Sequence, residues 1–211
     1  MREEPAVSKS KKIGSYLADG LFTKNIVLVS GLIAAPIVAG ATDIPNALCI
    51  MFCFSLITFF SVLFSSFVPH DIVYAVRIIL YTLIASLVYV PVIVAAELIF
   101  PNQVASEGVY IPLMIANTLI VSKSETYFFT MPKFDMAVHA ISYILGFDFV
   151  CILFALFREI LSYGALGDKI LGIPVTFHGF SYVFGGFILL GLMAGILKRI
   201  LNKIGNVGDT K

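Results

Sequence analysis

Asp148, in the run Gly146-Phe147-Asp148-Phe149, is an acid in the middle of a long apolar stretch. A carboxylate at the centre of a membrane helix costs at least about 2.5 kcal/mol on insertion scales, so such a group faces a partner, a cavity or an ion path. The other reading is structural: a protonated acid held by a hydrogen bond. His139 and Asp135 precede it on the same predicted helix, and their four-residue spacing puts them on one face. Asp135 could thus orient an imidazole that titrates near neutrality; otherwise His139 is a hydrogen-bonded interfacial histidine. Cys49 and Cys53 share the same spacing, compatible with one metal, and Cys151 stands apart. As metal-free residues, all three are small side chains that fill a helix interface.

These groups need elements to hold them, and the composition says what kind. The chain has 211 residues, 59% hydrophobic and 13% charged, with a net charge of +1. Its mean hydropathy is +0.99. Soluble domains carry roughly a quarter charged residues, so a water-soluble globule, a disordered chain and a nucleic-acid binder are excluded. The length suits about six membrane spans and leaves no room for a sizeable soluble domain. Any redox or catalytic domain then belongs to another polypeptide. The apolar runs place the spans near 26–41, 44–68, 72–100, 109–122, 134–161 and 180–201. The first and fourth are short, and each carries a proline, Pro36 and Pro112.

The predicted architecture is all-α: a cytoplasmic tail over 1–24, one six-helix membrane domain over 25–201, and a second tail over 202–211. Residues 1–24 lack the apolar core of a cleavable signal, and a short amphipathic piece near Ile13–Phe22 suits the membrane surface. Lys and Arg set the orientation. With six spans, one side collects Arg2, Lys9, Lys11, Lys12, Lys24, Lys123, Lys133, Lys198, Arg199, Lys203 and Lys211, while the other keeps Arg158 and Lys169. Both termini are therefore expected in the cytoplasm. The short-long-long order occurs twice, over about 25–100 and 109–201, and three spans per half invert the second half. The matching segments, Gly31 to Pro36 and Ile111 to Thr118, are either broken helices that meet at a functional site or simply short, kinked ones. A broken helix leaves backbone groups that lipid cannot satisfy, and Asn117 is placed to bond free carbonyls there.

At these strings a resemblance emerges. Ile111-Pro112-Leu113-Met114-Ile115-Ala116-Asn117-Thr118, followed by Lys123 and Glu125, resembles an "IPLI-x-x-N-C" signature with its trailing basic residue and glutamate. Arg158-Glu159-Ile160-Leu161-Ser162-Tyr163-Gly164 resembles an "REhhGxG" segment (h apolar), with Ser162 for the first glycine. Ile144 to Phe147 resembles a "GLGY/F" step, and Gly31 to Pro36 a "GLCP" turn. Together these resemble the integral-membrane subunits of Rnf-type and sodium-pumping NADH:quinone oxidoreductase complexes, in particular the RnfE/NqrD-like branch, over about residues 22–201. The resemblance implies a homologous RnfA/NqrE-like sister subunit packed about a pseudo-two-fold axis. It also implies an iron–sulfur cluster shared between the two, each contributing two cysteines. Here the first of those positions is Ala35 and the second Thr118. Alanine cannot ligate iron, and a hydroxyl is a poor substitute for a soft thiolate. The resemblance further makes Glu97 an acid at a cation entrance and puts His139 where an aspartate is common near the ion path. Without it, Glu97 is an end-of-helix acid reaching the headgroups.

The remaining charges read as packing groups. Lys123 can sit by the negative end of a helix dipole, and Arg158 and Glu159 are expected in ion pairs within the bundle or with a partner. Gly185, Gly186, Gly191 and Gly195 suit close helix approach, and Tyr127-Phe128-Phe129 an interfacial belt. Phosphate loops, zinc spacings and nucleophile elbows are missing. The expected function is a membrane subunit of an ion-translocating (Na⁺ or H⁺) electron-transfer complex that supplies scaffold and ion path. The alternative is a stand-alone transporter or accessory protein that keeps the fold without redox function.

Overall fold

The computed structural model describes residues 20–21, 25–29, 31, 33–69, 71–115, 132–166, 169–170 and 176–208. Among these, six α-helices follow in order: α1 (Ala34–Gly40), α2 (Ile44–Ser65), α3 (Tyr74–Ile99), α4 (Pro101–Glu107), α5 (Lys133–Tyr163) and α6 (Val183–Gly208). Short 3-10 turns cover Pro112–Met114 and His178–Ser181. A two-residue antiparallel ladder, β1 (Ala165–Leu166) with β2 (Lys169–Ile170), closes the link after α5. The fold is all-α in everything that carries its core. Four helices are long and apolar enough to cross a membrane: Ile44–Ser65, Tyr74–Ile99, Lys133–Tyr163 and Val183–Ile200.

Local chemistry sets the helix ends. Asp43 is the N-cap of α2, where its Oδ1 accepts the Asn46 N–H at 2.9 Å, and Pro45 suits the first turn because it has no N–H to leave unpaired. Gly164, at φ 62, ends α5 in the left-handed conformation, with its N–H donated to Ile160 O. α3 continues through Pro91 in spite of the missing hydrogen bond.

The core lies between α2 and α5, which run antiparallel. The Ile44 N–H donates to the Glu159 carboxylate at 3.4 Å, Cys151 Sγ reaches Ala47 O at 3.9 Å, and the Phe54 and Phe147 rings stack with centroids 3.7 Å apart. At the far end Val62 joins Met136 and Ala140 in a second apolar cluster with Tyr81 and Ala85. α3 and α6 flank this pair and keep apolar outer faces: Leu87 is 67% exposed, Leu98 83% and Ile196 61%. Such faces suit lipid contact.

The described parts of the two expected short spans hold only short helical pieces. The first comprises a turn at 26–29 and then the seven-residue α1, and the fourth begins as the Pro112–Met114 turn. The break ahead of α1 is marked by Gly31 at φ 65 and Ile33 at φ 59, a conformation that costs energy in a β-branched residue. Asn117, Thr118, Lys123, Glu125 and the Tyr127–Phe129 run lie outside the described residues. The glycines of α6 divide in two. A Cβ at Gly185 would strike the Gly179 carbonyl and one at Gly186 would crowd Val38, whereas Gly191 and Gly195 face open space.

Candidate functional site

The polar groups gather at the end of the bundle where α1 stops, α2 starts and α5 finishes. α1 ends at Gly40, and its last carbonyls have no helical partners. Arg158, on α5 and 1% exposed, supplies them. Its Nη1 donates to Val38 O at 2.7 Å and to Ala41 O at 3.4 Å, its Nε to Phe180 O at 2.9 Å, and its Nη2 to Ser181 O at 2.7 Å. The guanidinium also lies 5.8 Å from the Phe154 ring centroid. One fork of donors therefore joins the broken helix α1, the turn before α6, and α5. Among the described residues Arg158 bonds carbonyls, because the chain breaks here and its backbone needs donors that lipid does not provide. The Glu159 carboxylate turns to the first N–H of α2, at Ile44, where a negative charge also suits the helix dipole.

Glu107, the last residue of α4, is a group that sequence reasoning passes over. It is 3% exposed, and its Oε2 has no hydrogen-bond partner among the described residues. The carboxylate packs on Gly40 so closely that a Cβ there would collide with it. Burial, then the Asp43 carboxylate nearby, push the Glu107 acid up to about 7, while Arg158 pulls the other way. The sequence signal was present: an acid directly before a glycine in a loop free of Lys and Arg. Asn25 is a second such residue. Wholly buried, it donates to Gly146 O and Leu21 O at 3.0 Å and accepts from the Val27 and Leu28 N–H groups, so it fastens the entry to the first span against α5.

In the centre of the bundle, Asp148 accepts from Ser55 Oγ at 3.0 and 3.3 Å across the α2–α5 contact and is half-buried. His139 lies about 13 Å away along α5. It is half-buried and stacked at 6.4 Å on Tyr143. Asp135 is in the first turn of α5. Glu97 is exposed near the opposite end, where it lines a cavity of about 630 Å³ with Val94, Pro101, Val104 and Gly108. The candidate ion-handling residues are thus strung from one end of the bundle to the other and do not converge on one site.

The metal question has a plainer answer. Cys49 and Cys53 are both wholly buried inside the continuous helix α2, and Cys151 packs on Ala47. Among the described residues no group of three or more His, Cys, Asp or Glu is arranged to hold a metal ion. At the broken helix, Ala35 presents an exposed methyl where the resemblance calls for a thiolate. Pro36, beside it, is buried against the core. Alanine and threonine, the residues at the two positions that the resemblance assigns, do not fit as ligands of an iron–sulfur cluster.

Known membrane-complex subunits resemble this chain in sequence over nearly its whole length. Residues 13–197 match the family described as Rnf-Nqr subunit, membrane protein. The D-type subunit of the Na(+)-translocating NADH-quinone reductase of Serratia proteamaculans is 29% identical over 202 residues, 92% of this chain and 93% of the relative. The E-type subunit of the ion-translocating oxidoreductase complex of Haemophilus ducreyi is 27% identical over 207 residues, 94% of this chain and 86% of the relative. A further D-type relative, from Pseudoalteromonas atlantica, is 28% identical over 189 residues, 87% of each chain. These relatives are components of multi-subunit complexes. With four helices long and apolar enough to cross a membrane and this match, the chain is a multi-pass membrane protein and belongs to the Rnf-Nqr membrane subunit family.

Proposed function

We propose that this chain is the D/E-type membrane subunit of an ion-translocating electron-transfer complex. In this reading it lies in the plasma membrane with both termini in the cytoplasm and pairs with an RnfA/NqrE-like sister subunit. The observation that carries the reading is the near end-to-end likeness to a D-type and an E-type relative, both named as parts of ion-translocating oxidoreductases. The antiparallel α2–α5 pair supports two inverted three-span repeats, over 25–100 and 109–201, because α2 and α5 would be the second spans of the two halves.

The contribution of this chain is then scaffold and ion path. Asp148, braced by Ser55, is the central station; His139 and Asp135 lie toward one end, and Glu97 toward the other. Cluster ligands come from elsewhere in the complex, because Ala35 and Thr118 offer no thiolate. Cys49 and Cys53 pack α2. Lys123 and Glu125, beyond the second half-helix, act in packing, as does Asn117.

Purification of the chain with its co-expressed partners, followed by reconstitution into vesicles, tests both parts. Asp148→Asn keeps the hydrogen bond to Ser55 but removes the charge, so it should leave assembly intact and impair ion movement coupled to electron transfer. Unchanged coupling in a normally assembled complex would remove Asp148 from the path. Iron and acid-labile sulfide analysis with EPR addresses the cluster. A stoichiometric intramembrane signal that depends on Cys49 or Cys53 would overturn the packing role given to them.

A further inference from the structure

We propose that Glu107 is a proton-binding site at the Asp43 end of the bundle: its neutral acid is the form that seats α4 on α1 and α2, and loss of the proton unseats it. Gly40 and Glu107 fit one another. The carboxyl lies against the Gly40 backbone, where a Cβ would overlap it, so the seat takes this side chain only because position 40 has none. Glu107 is 3% exposed, and Oε2 meets no hydrogen-bond donor among the described residues. An ionised carboxylate in that position leaves a buried oxygen with concentrated charge and no hydrogen bond, whereas the neutral acid carries far less cost.

The surrounding charges favour the same form. From the start of α2 the Asp43 carboxylate repels a second negative charge. Farther along α2 stand the Cys49 and Cys53 thiols, and on α5 the Cys151 thiol, all three buried. α1 offers Gly40 and no titratable group. α3 carries Glu97 on its exposed side. The facing cation, Arg158, does favour the carboxylate, but its donors are committed to Val38, Ala41, Phe180 and Ser181. It contributes a field and no hydrogen bond. The acid is accordingly pushed from its ordinary 4.5 up to about 7. A raised acid binds its proton more tightly in the seated form than in the free one. Seating is therefore fully favoured below 4.5, weakens above that, and is lost as the pH rises through about 7. Nothing in this depends on ion transport by the complex, so it stands or falls separately from the function proposed above.

Infrared difference spectra of the whole chain in its complex, in lipid nanodiscs, report the proton directly. The wild type should lose a carboxylic-acid C=O band with a midpoint near 7, and Glu107→Gln should lack that band. Hydrogen exchange at the α4 amides should speed up across the same pH range in the wild type beyond its intrinsic pH dependence, but not in the isosteric, permanently neutral Glu107→Gln. Gly40→Ala, which expels the carboxyl from its seat, should move the midpoint toward the ordinary carboxylate value. The proposal is overturned if the band persists in Glu107→Gln, or if its midpoint lies in the ordinary carboxylate range. It fails equally if Gly40→Ala leaves the midpoint in place. Failure of Glu107→Gln to assemble also counts against it, because that variant mimics the form said to be packed. Replacing potassium by sodium should not move the midpoint; a shift would make the site one for sodium and end the proton assignment.

Discussion

At the Asp43 end of the bundle, Arg158, Asp43 and Glu159 bond backbone groups of α1, α2 and the turn before α6, and Asp43 also accepts from the Thr42 and Asn46 side chains. A few turns deeper, the same two long helices meet through a ring stack, a cysteine against a carbonyl, and the polar pair Ser55–Asp148. The difference follows from the backbone. α2 and α5 are continuous in the middle, so every amide there is already paired and side chains need only fill space. Where α1 stops, carbonyls are left over, and the chain must bring buried donors and accept their desolvation cost. At this end, Arg158, Asp43 and Glu159 therefore mark broken backbone. Asp148 does not follow that rule, and this sets it apart as a candidate for ion handling.

The end should accordingly be the more fragile of the two regions. Arg158→Met should be the most damaging single change considered, because it strands the carbonyls of Val38, Ala41, Phe180 and Ser181 together. Breaking a buried, hydrogen-bonded charge costs about 3–5 kcal/mol. Arg158→Lys should recover only part of this, since one ammonium cannot span carbonyls on two separate segments as the guanidinium fork does. Thermal unfolding of the detergent-solubilised chain measures both. If the methionine variant melts close to wild type, the link between charge and broken backbone is wrong.

In the centre, stability should follow volume. Phe54→Ala removes half of the ring stack with Phe147 and should cost about 3 kcal/mol, whereas the more volume-conserving Phe54→Leu should cost about 1 kcal/mol. The same melting assay, set beside the Arg158 pair, sharpens the contrast. Shape rescues the middle, and only donor geometry rescues the end. A leucine variant as unstable as the alanine one would mean that the stack itself, and not its bulk, holds α2 to α5.

Much of this arrangement was legible in the sequence. Hydropathy alone marked α2, α3 and α5 to within a few residues of their observed ends and the start of α6 to within three, while α6 runs seven residues past the expected end; the prolines at positions 36 and 112 marked the short segments. The mid-helix position of Asp148 was equally plain, since an acid inside an apolar run stands out at once. Its partner was not, because Ser55 is one of several serines along α2 and the facing register is set by the fold. Arg158 stood out as well, but as a group awaiting an ion pair. A sequence shows where opposite charges lie and gives no sign that carbonyls from residues 38, 41, 180 and 181 converge on one point. Glu107 escaped for a related reason: it sits in a polar loop, and what makes it unusual is a glycine far away in the chain. The half-helix positions 117 and 118 are known from the sequence alone, since they lie beyond the described residues.

The smallest effect separates structural from functional polarity in the centre. Ser55→Ala removes the donor to Asp148 and should cost only about 1 kcal/mol, the net worth of a typical hydrogen bond, because Asp148 is half-buried and not sealed. A double-mutant cycle with Asp148→Asn then splits the two roles. If Asp148 serves packing alone, the coupling energy appears in the melting temperature and ion movement tracks the amount of folded protein. If it serves the ion path, Ser55→Ala changes coupled ion movement per folded molecule while stability barely moves. The end of the bundle offers no such separation, since Arg158, Asp43 and Glu159 are bonded to the chain they hold. In the centre, a single serine on α2 is enough to tell an acid that holds the fold from one that handles the ion.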